Sequence, residues 1–273
     1  MLSYDENVFL MLGGKEKYLE SIAQLVEFAA IGEQDSVLEI CCGTGLSTQK
    51  ILAKTQNVVA VELNRERMGI AKERLPTSVP LLTKNALDLN VEDGRYDVII
   101  CINGFHYFKE DQFYALAHRM LAENGRLIFN VKLHDYDGVR PMHTYMPSVV
   151  DRITSEMLQL GPPRDTIDTS FIDSAHMQDT FAVPALFRMS RSQAYTLHYD
   201  PLVLHWYVQY LRHLAADLTS NELFVTGWGG HQTSLAFWTY DQFTQRIYHH
   251  ISTKVPEEKR LAKAELFVEA AKL

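Results

Sequence analysis

The feature that most constrains this chain is a rhythm in its first half. Short apolar runs rich in valine and isoleucine recur at 37–41 (VLEIC), 57–61 (NVVAV), 79–85 (VPLLTKN), 96–102 (YDVIICI) and 126–131 (RLIFNV). Each is followed or preceded by a stretch with helical spacing. Tyr18, Ile22, Leu25, Val26 and Ala29 form one apolar stripe ahead of the first run, and Leu46–Ala53 reads as a helix after it. Asn64 is a good helix cap, with Met68, Ala71 and Leu75 on one face and Pro76 beyond the end. Phe113, Leu116, Ala117, Met120 and Leu121 mark a further helix that is expected to stop at Asn124-Gly125. Strands alternating with helices at this spacing predict an α/β fold with a doubly wound, mostly parallel sheet, expected to reach seven strands. Right-handed crossovers then place the turn after each strand on one edge, where such sheets bind ligands.

The rhythm breaks near His134. Proline-bearing loops follow (DYDGVRPMHTYMP, LGPPRDT), and then aromatic-rich, mostly helical sequence that contains Trp206, Trp228 and Trp238. Leu204, Tyr207, Leu211, Leu214 and Leu218 form an apolar helical stripe. The expected organisation is a core with an N-terminal helix over 1–134, a helical cap over 135–250, and a return segment over 251–273 that completes the sheet. The closing AELFVEAAKL reads as that returning strand.

Composition excludes some partners. The formal net charge is −8, with no basic tail, which argues against nucleic acid as a partner. No apolar run approaches the ~20 residues needed to cross a bilayer, and the first residues lack the basic start and apolar stretch of a signal peptide. The expectation is a soluble cytoplasmic protein without a membrane partner. Three cysteines, Cys41, Cys42 and Cys101, suggest neither a disulfide framework nor a zinc site. A histidine metal site from His205, His213 and Asp217 lacks a tight ligand motif, so no metal is expected.

The turn after the first run carries the chemistry. In VLEICCGTGLST, an acid, Glu39, precedes Gly43 and Gly45, and Thr48 stands where a dinucleotide fingerprint needs its third glycine. An acid at that strand end would also repel a pyrophosphate. A cationic ligand without phosphate suits it better, and the two glycines let backbone approach that ligand.

Glu39-Ile40-Cys41-Cys42-Gly43-Thr44-Gly45 resembles motif I of the class I S-adenosylmethionine-dependent methyltransferases, an acid followed by x-G-x-G-x-G, with Cys41 in place of the first glycine. Glu62, ending the second run, resembles the family's ribose-binding acid. Asn85-Ala86 resembles its Asp-Ala pair beside adenine, and YDVIICINGFHYF the motif ending its fourth strand. The resemblance covers roughly residues 15 to 133. It implies S-adenosyl-L-methionine as cofactor, S-adenosyl-L-homocysteine as product, and cofactor contacts at Glu39, Cys41, Gly43, Gly45, Glu62, Leu63, Asn85, Ala86 and Asn103.

For the acceptor, Asn103-Gly104-Phe105-His106 lacks the prolines of the Asn-Pro-Pro-Tyr signature that nucleic-acid amino methyltransferases of this fold use. The cap resembles the inserts of small-molecule methyltransferases. The expected function is therefore methyl transfer to a small organic molecule, with O-methylation of a carboxylate or hydroxyl favoured. His106 is the candidate general base, since the ordinary histidine pKa of ~6.5 suits proton transfer near neutrality. Tyr4, His106, His134 and Trp206 are the candidate substrate contacts. The alternatives are a protein or RNA methyltransferase, a cyclase or scaffold that keeps the cofactor site, and a dinucleotide oxidoreductase.

Overall fold

The computed structural model describes residues 5, 9, 14–133, 186–198, 222–224, 234–236, 245–246, 248–249, 252–254 and 261–273. After helix α1 (Lys15–Phe28) come β1 (Val37–Ile40), α2 (Leu46–Leu52), β2 (Val58–Glu62), α3 (Arg65–Arg74), β3 (Leu81–Thr83), β4 (Tyr96–Cys101), α4 (Glu110–Met120) and β5 (Leu121–Lys132). Strands β6 (Phe187–His198), β7 (Glu222–Phe224), β8 (Ser234–Ala236) and β9 (Leu261–Lys272) complete the order. The chain divides into two compact units. One, comprising Leu19–Lys132, Ala175–Tyr195 and Glu265–Leu273, holds most of the main sheet; the other includes the short antiparallel pair β7–β8.

The main sheet has seven strands in the order β3-β2-β1-β4-β5-β9-β6. Strands β1 to β5 run parallel, as the alternation predicts, and β9 returns antiparallel to β5, with Arg126 opposite Ala271 and Lys132 opposite Glu265. The continuous apolar runs are explained by burial on both faces. Val37, Leu38 and Ile40 of β1 and Val98, Ile99, Ile100 and Cys101 of β4 are sealed from solvent.

Two local departures from the sequence reading have clear causes. Helix α4 stops at Met120, because Leu121 is extended and pairs with Tyr96, while Asn124 takes a left-handed φ of 63° in the next turn. Strand β6 lies inside the range assigned to the cap. The run from Gln193 (QAYTLHY) resembles a strand ahead of a cap helix, and β6 includes it as far as His198; the earlier part is hidden because Arg188 to Ala194 are all exposed and show no apolar alternation.

The edges of the sheet are not equivalent. At the start of β4, the Asp97 carboxylate accepts from the Ser36 amide at 2.9 Å and the Ser36 hydroxyl at 2.7 Å, which holds its carboxyl below the usual range. Arg126, opening the main run of β5, donates to the Ala29 carbonyl at 2.8 Å and to Asp35 at 3.2 Å. These latches close the edge where the strands begin. The opposite edge carries the turns.

Behind that edge lies an aromatic cluster. Phe105, just past β4, stacks on Phe129 of β5 with ring centroids 5.0 Å apart and meets Phe113 of α4 edge-on at 5.1 Å. Phe113 and Phe129 are fully buried. The cluster anchors the segment after β4, so core packing sets where His106 stands. Phe113→Ala is expected to cost about 3–5 kcal/mol of stability by opening a cavity under Phe105, measurable by urea denaturation. A cost below about 1 kcal/mol would show that the cluster does not hold this segment.

Candidate functional site

The turn between β1 and α2 is built around a buried acid. Glu39 is 1 % exposed, and its two oxygens accept from the hydroxyls of Ser47 and Thr48, the latter at 2.6 Å. Those hydroxyls lie in the first turn of α2, so the carboxyl ties the strand to the start of its own helix. Burial raises the Glu39 pKa from 4.5 to about 7, against the lowering effect of the two hydroxyl bonds.

The glycines do different jobs. Gly45 has a φ of 82°, and a Cβ there would lie 2.9 Å from Leu75 Cδ1, so both conformation and packing with α3 demand glycine. Gly43 has a φ of 57° and nothing within 4 Å of where its Cβ would be. The backbone at Gly43 is therefore open to a ligand. From α3, Arg74 donates to the Thr44 carbonyl at 2.6 Å, bracing the turn from its other side.

Glu62 ends β2 beside the turn. It accepts from the Gly43 amide at 3.0 Å and from the Asn64 amide at 2.8 Å. Leu63, next in sequence, is 66 % exposed, an apolar side chain held in the open beside a fixed acid. At the end of β3, Asn85 Oδ1 accepts from the Leu87 amide at 3.1 Å and so caps the short turn Ala86–Asp88, with Ala86 buried beneath.

Past β4, Asn103 adopts a left-handed φ of 54°. Its amide donates to Asn130 Oδ1 at 2.7 Å, and Asn130 Nδ2 donates back to Asn103 Oδ1 at 2.8 Å. This reciprocal pair joins the segment after β4 to β5. His106 comes next, in the turn Phe105–Tyr107, and its pKa is held below 6.5 by partial burial and then by the nearby charge of Lys132. The imidazole is thus neutral at pH 7 and able to take a proton. Parallel register brings the ends of β1, β2, β3 and β4 onto one edge, with Ile40 opposite Val61 and Cys101, and Glu62 opposite Thr83.

Comparisons with known proteins cover the same stretch of chain. Residues 37–125 match the profile of a methyltransferase domain family. An uncharacterised methyltransferase-like protein of Schizosaccharomyces pombe is 29% identical over 98 residues, which is 36% of this chain and 38% of that protein. YqeM of Bacillus subtilis, named a methyltransferase, is 25% identical over 192 residues, 62% of this chain and 77% of its own length. Among solved structures, the mycolic acid cyclopropane synthase CmaA1, complexed with SAH and CTAB, aligns with a TM-score of 0.54 at 14% identity, covering 94% of this chain and 85% of that one. The cyclase SpnF aligns with a TM-score of 0.55 at 13% identity, covering 94% and 82%.

Residues 37–125 carry a methyltransferase domain. The chain spans about two fifths of the length of the fission-yeast relatives it matches. The matched residues of this methyltransferase domain contain the glycine turn, Glu62 and the end of β4.

Of the site residues read from sequence, the structure brings Glu39, Cys41, Gly43, Gly45, Glu62, Leu63, Asn85, Ala86, Asn103 and His106 to the C-terminal edge of the sheet or the turns that leave it. The sequence sets Glu39 against the cofactor's positive charge; its side chain directly holds the first turn of α2. Tyr4, His134 and Trp206 lie outside the described residues, as do His205, His213 and Asp217. Among the described residues no cluster of metal-ligating side chains is found. No helix among them is long and apolar enough to cross a membrane.

Sequence reasoning missed Ser47, Thr48, Arg74, Asn130 and Lys132. Two adjacent hydroxyls in the first turn of a helix, behind a strand acid, were the available signal for the first two. Asn130 carried a weaker one: an amide in an otherwise apolar strand, 5 % exposed, needs a partner.

The Glu39 carboxyl makes a pH-dependent contribution to stability whose sign comes from its raised pKa. Below about 4.5 the favourable neutral form is present in full, and the contribution is lost as pH rises through about 7. Glu39→Gln is expected to flatten the fall in unfolding free energy across that window, where one such group contributes at most ~1.4 kcal/mol per pH unit. Urea denaturation at a series of pH values measures it. An unchanged slope would remove Glu39 as its source.

Proposed function

We propose that this protein is an S-adenosyl-L-methionine-dependent enzyme that moves a methyl group to a small organic molecule, with a carboxylate or hydroxyl oxygen as the favoured acceptor. The observation that carries the reading is the open backbone at Gly43, set between a braced turn and Glu62. A cationic ligand without phosphate fits a site that presents the acid Glu62, held by the Gly43 and Asn64 amides, with Glu39 buried behind the turn. Glu62 has two oxygens positioned by backbone donors and suits a ribose diol, while Leu63 supplies an apolar surface for an adenine ring. The Ala86 amide and the amide group of Asn85 suit the edge of that ring. When bound, the cofactor supplies an electrophilic methyl group on sulfonium.

The remaining work falls to the chain's own residues. Methyl transfer disperses charge, so it is favoured by a dry site that holds the acceptor close and in line. A carboxylate acceptor needs no base. A hydroxyl acceptor is helped by one, and His106, neutral and anchored through Phe105, is the residue that suits this role. The acidic charge of the chain and its Asn103-Gly104-Phe105-His106 run support a small molecule over a nucleic acid. A second reading, a cyclase built on the same fold, draws support from the likeness to SpnF, a likeness of fold.

The first test is calorimetric titration with S-adenosylmethionine, S-adenosylhomocysteine and NADH. Expected is micromolar binding of the first two, weakened at least tenfold in Glu62→Ala, about 1.4 kcal/mol, with no binding of NADH. NADH binding alone would overturn the reading.

The second test is a pH profile with phenolic acceptors. Since the folded pKa of His106 lies below 6.5, activity is expected to fall only at more acid pH, as the imidazole is protonated. Loss of that acid limb in His106→Gln, with kcat reduced by about 10²–10⁴, would identify the base. A profile identical to wild type would assign His106 a packing role.

A further inference from the structure

We infer that Cys41 and Cys101 form an oxidisable thiol pair, a modification site that a peroxide closes to a disulfide joining the end of β1 to the end of β4. Cys101 ends β4 and lies in register with Ile40, the residue before Cys41. In a regular strand, Cys41 would point to the opposite face from its predecessor. Its φ of 61° breaks that alternation, so the side chain swings toward Cys101. The glycine at 104 reports where both sulfurs go. A Cβ built there would lie 2.8 Å from Cys101 Sγ, 3.1 Å from Cys41 Sγ and 2.7 Å from Cys41 Cβ. Both sulfurs therefore crowd a single point.

The remaining thiol is directed elsewhere. Cys42 packs in a cluster with Ala60, Met68, Ala71 and Leu75, and a disulfide between the neighbours Cys41 and Cys42 would be strained. Access is also asymmetric. Cys41 is partly exposed, whereas Cys101 is sealed from solvent. Cys41 is thus the sulfur a peroxide can reach, and Cys101 the one that resolves the product.

The chemistry balances with the peroxide as oxidant. The Cys41 thiol gives up its proton, its sulfur attacks one peroxide oxygen and the O–O bond breaks; the sulfur is left as sulfenic acid, and the departing hydroxide takes the thiol's proton to become water. The Cys101 sulfur then attacks the Cys41 sulfur, the S–O bond breaks, and a second water leaves. Two thiols lose two protons and two electrons, and the peroxide takes them up to become two waters.

The consequence for ligand binding rests on the proposed function. Cys41 stands two residues before Gly43, and Cys101 two before Asn103, so the bond would tether two segments assigned to the cofactor. The oxidised protein is expected to bind S-adenosylmethionine at least about tenfold more weakly.

The test is to treat the full-length protein with hydrogen peroxide, alkylate, digest and map the cysteines by mass spectrometry. Binding of S-adenosylmethionine is titrated before and after reduction with dithiothreitol. Expected are a Cys41–Cys101 linked peptide, weakened binding, and recovery of both on reduction. Cys41→Ser and Cys101→Ala should each abolish the link, and Cys42→Ser should keep it. A Cys41–Cys42 link, or Cys41 over-oxidised while Cys101 still alkylates, overturns the pair. A Cys41–Cys101 link that leaves affinity unchanged overturns its coupling to the site. Should the reduced protein bind no S-adenosylmethionine, the cofactor reading fails, and the mapped link alone decides the pair.

Discussion

A carboxyl group buried under a helix start is the constraint on which the rest of the edge depends. Removing an ionisable acid from water is costly, and Glu39 offsets the cost with two hydroxyl donors from α2 and a pKa raised to about 7. The arrangement makes the turn between β1 and α2 stiff in a place where three residues in five, Cys41, Gly43 and Gly45, have positive φ. Such a backbone would otherwise sample many conformations. Glu62 and Arg74 complete the brace by holding the Gly43 amide and the Thr44 carbonyl. The turn is therefore positioned by bonds that belong to the fold, and a ligand meets a surface already formed.

The parallel sheet does the second part. It aligns the ends of β1, β2, β3 and β4 and brings residues far apart in sequence to one line. The reciprocal Asn103–Asn130 pair fixes the backbone after β4 at a left-handed residue, and the Phe105–Phe113–Phe129 cluster holds the turn that carries His106. His106 is consequently displaced from core to edge while its neighbour stays buried. Its proton affinity is lowered by partial desolvation and then by Lys132, which reaches the same edge from β5.

Much of this was readable in advance. The five parallel strands, the Asn64 cap and the ring of strand-end residues were legible because each rests on a local signal: a run of branched apolar residues, a side chain that can bond its own helix start, glycines next to an acid. Strand β6 was harder to delimit, because an edge strand with an exposed face has no apolar period to read. The end of α4 was misplaced because Leu121 suits either state, and only its pairing with Tyr96 decides.

Local chemistry by itself therefore determined the class of fold and the acid and glycine pattern of the turn after β1. Tertiary structure decided what each of those residues touches. It turned Glu39 inward to Ser47 and Thr48, gave Asn130 its partner 27 residues away, and brought the sulfurs of Cys41 and Cys101 onto one glycine. The physical reason is that strand and turn propensities act over a few residues. Hydrogen-bond partners and proton affinities depend on which surfaces the sheet brings together and closes off from water.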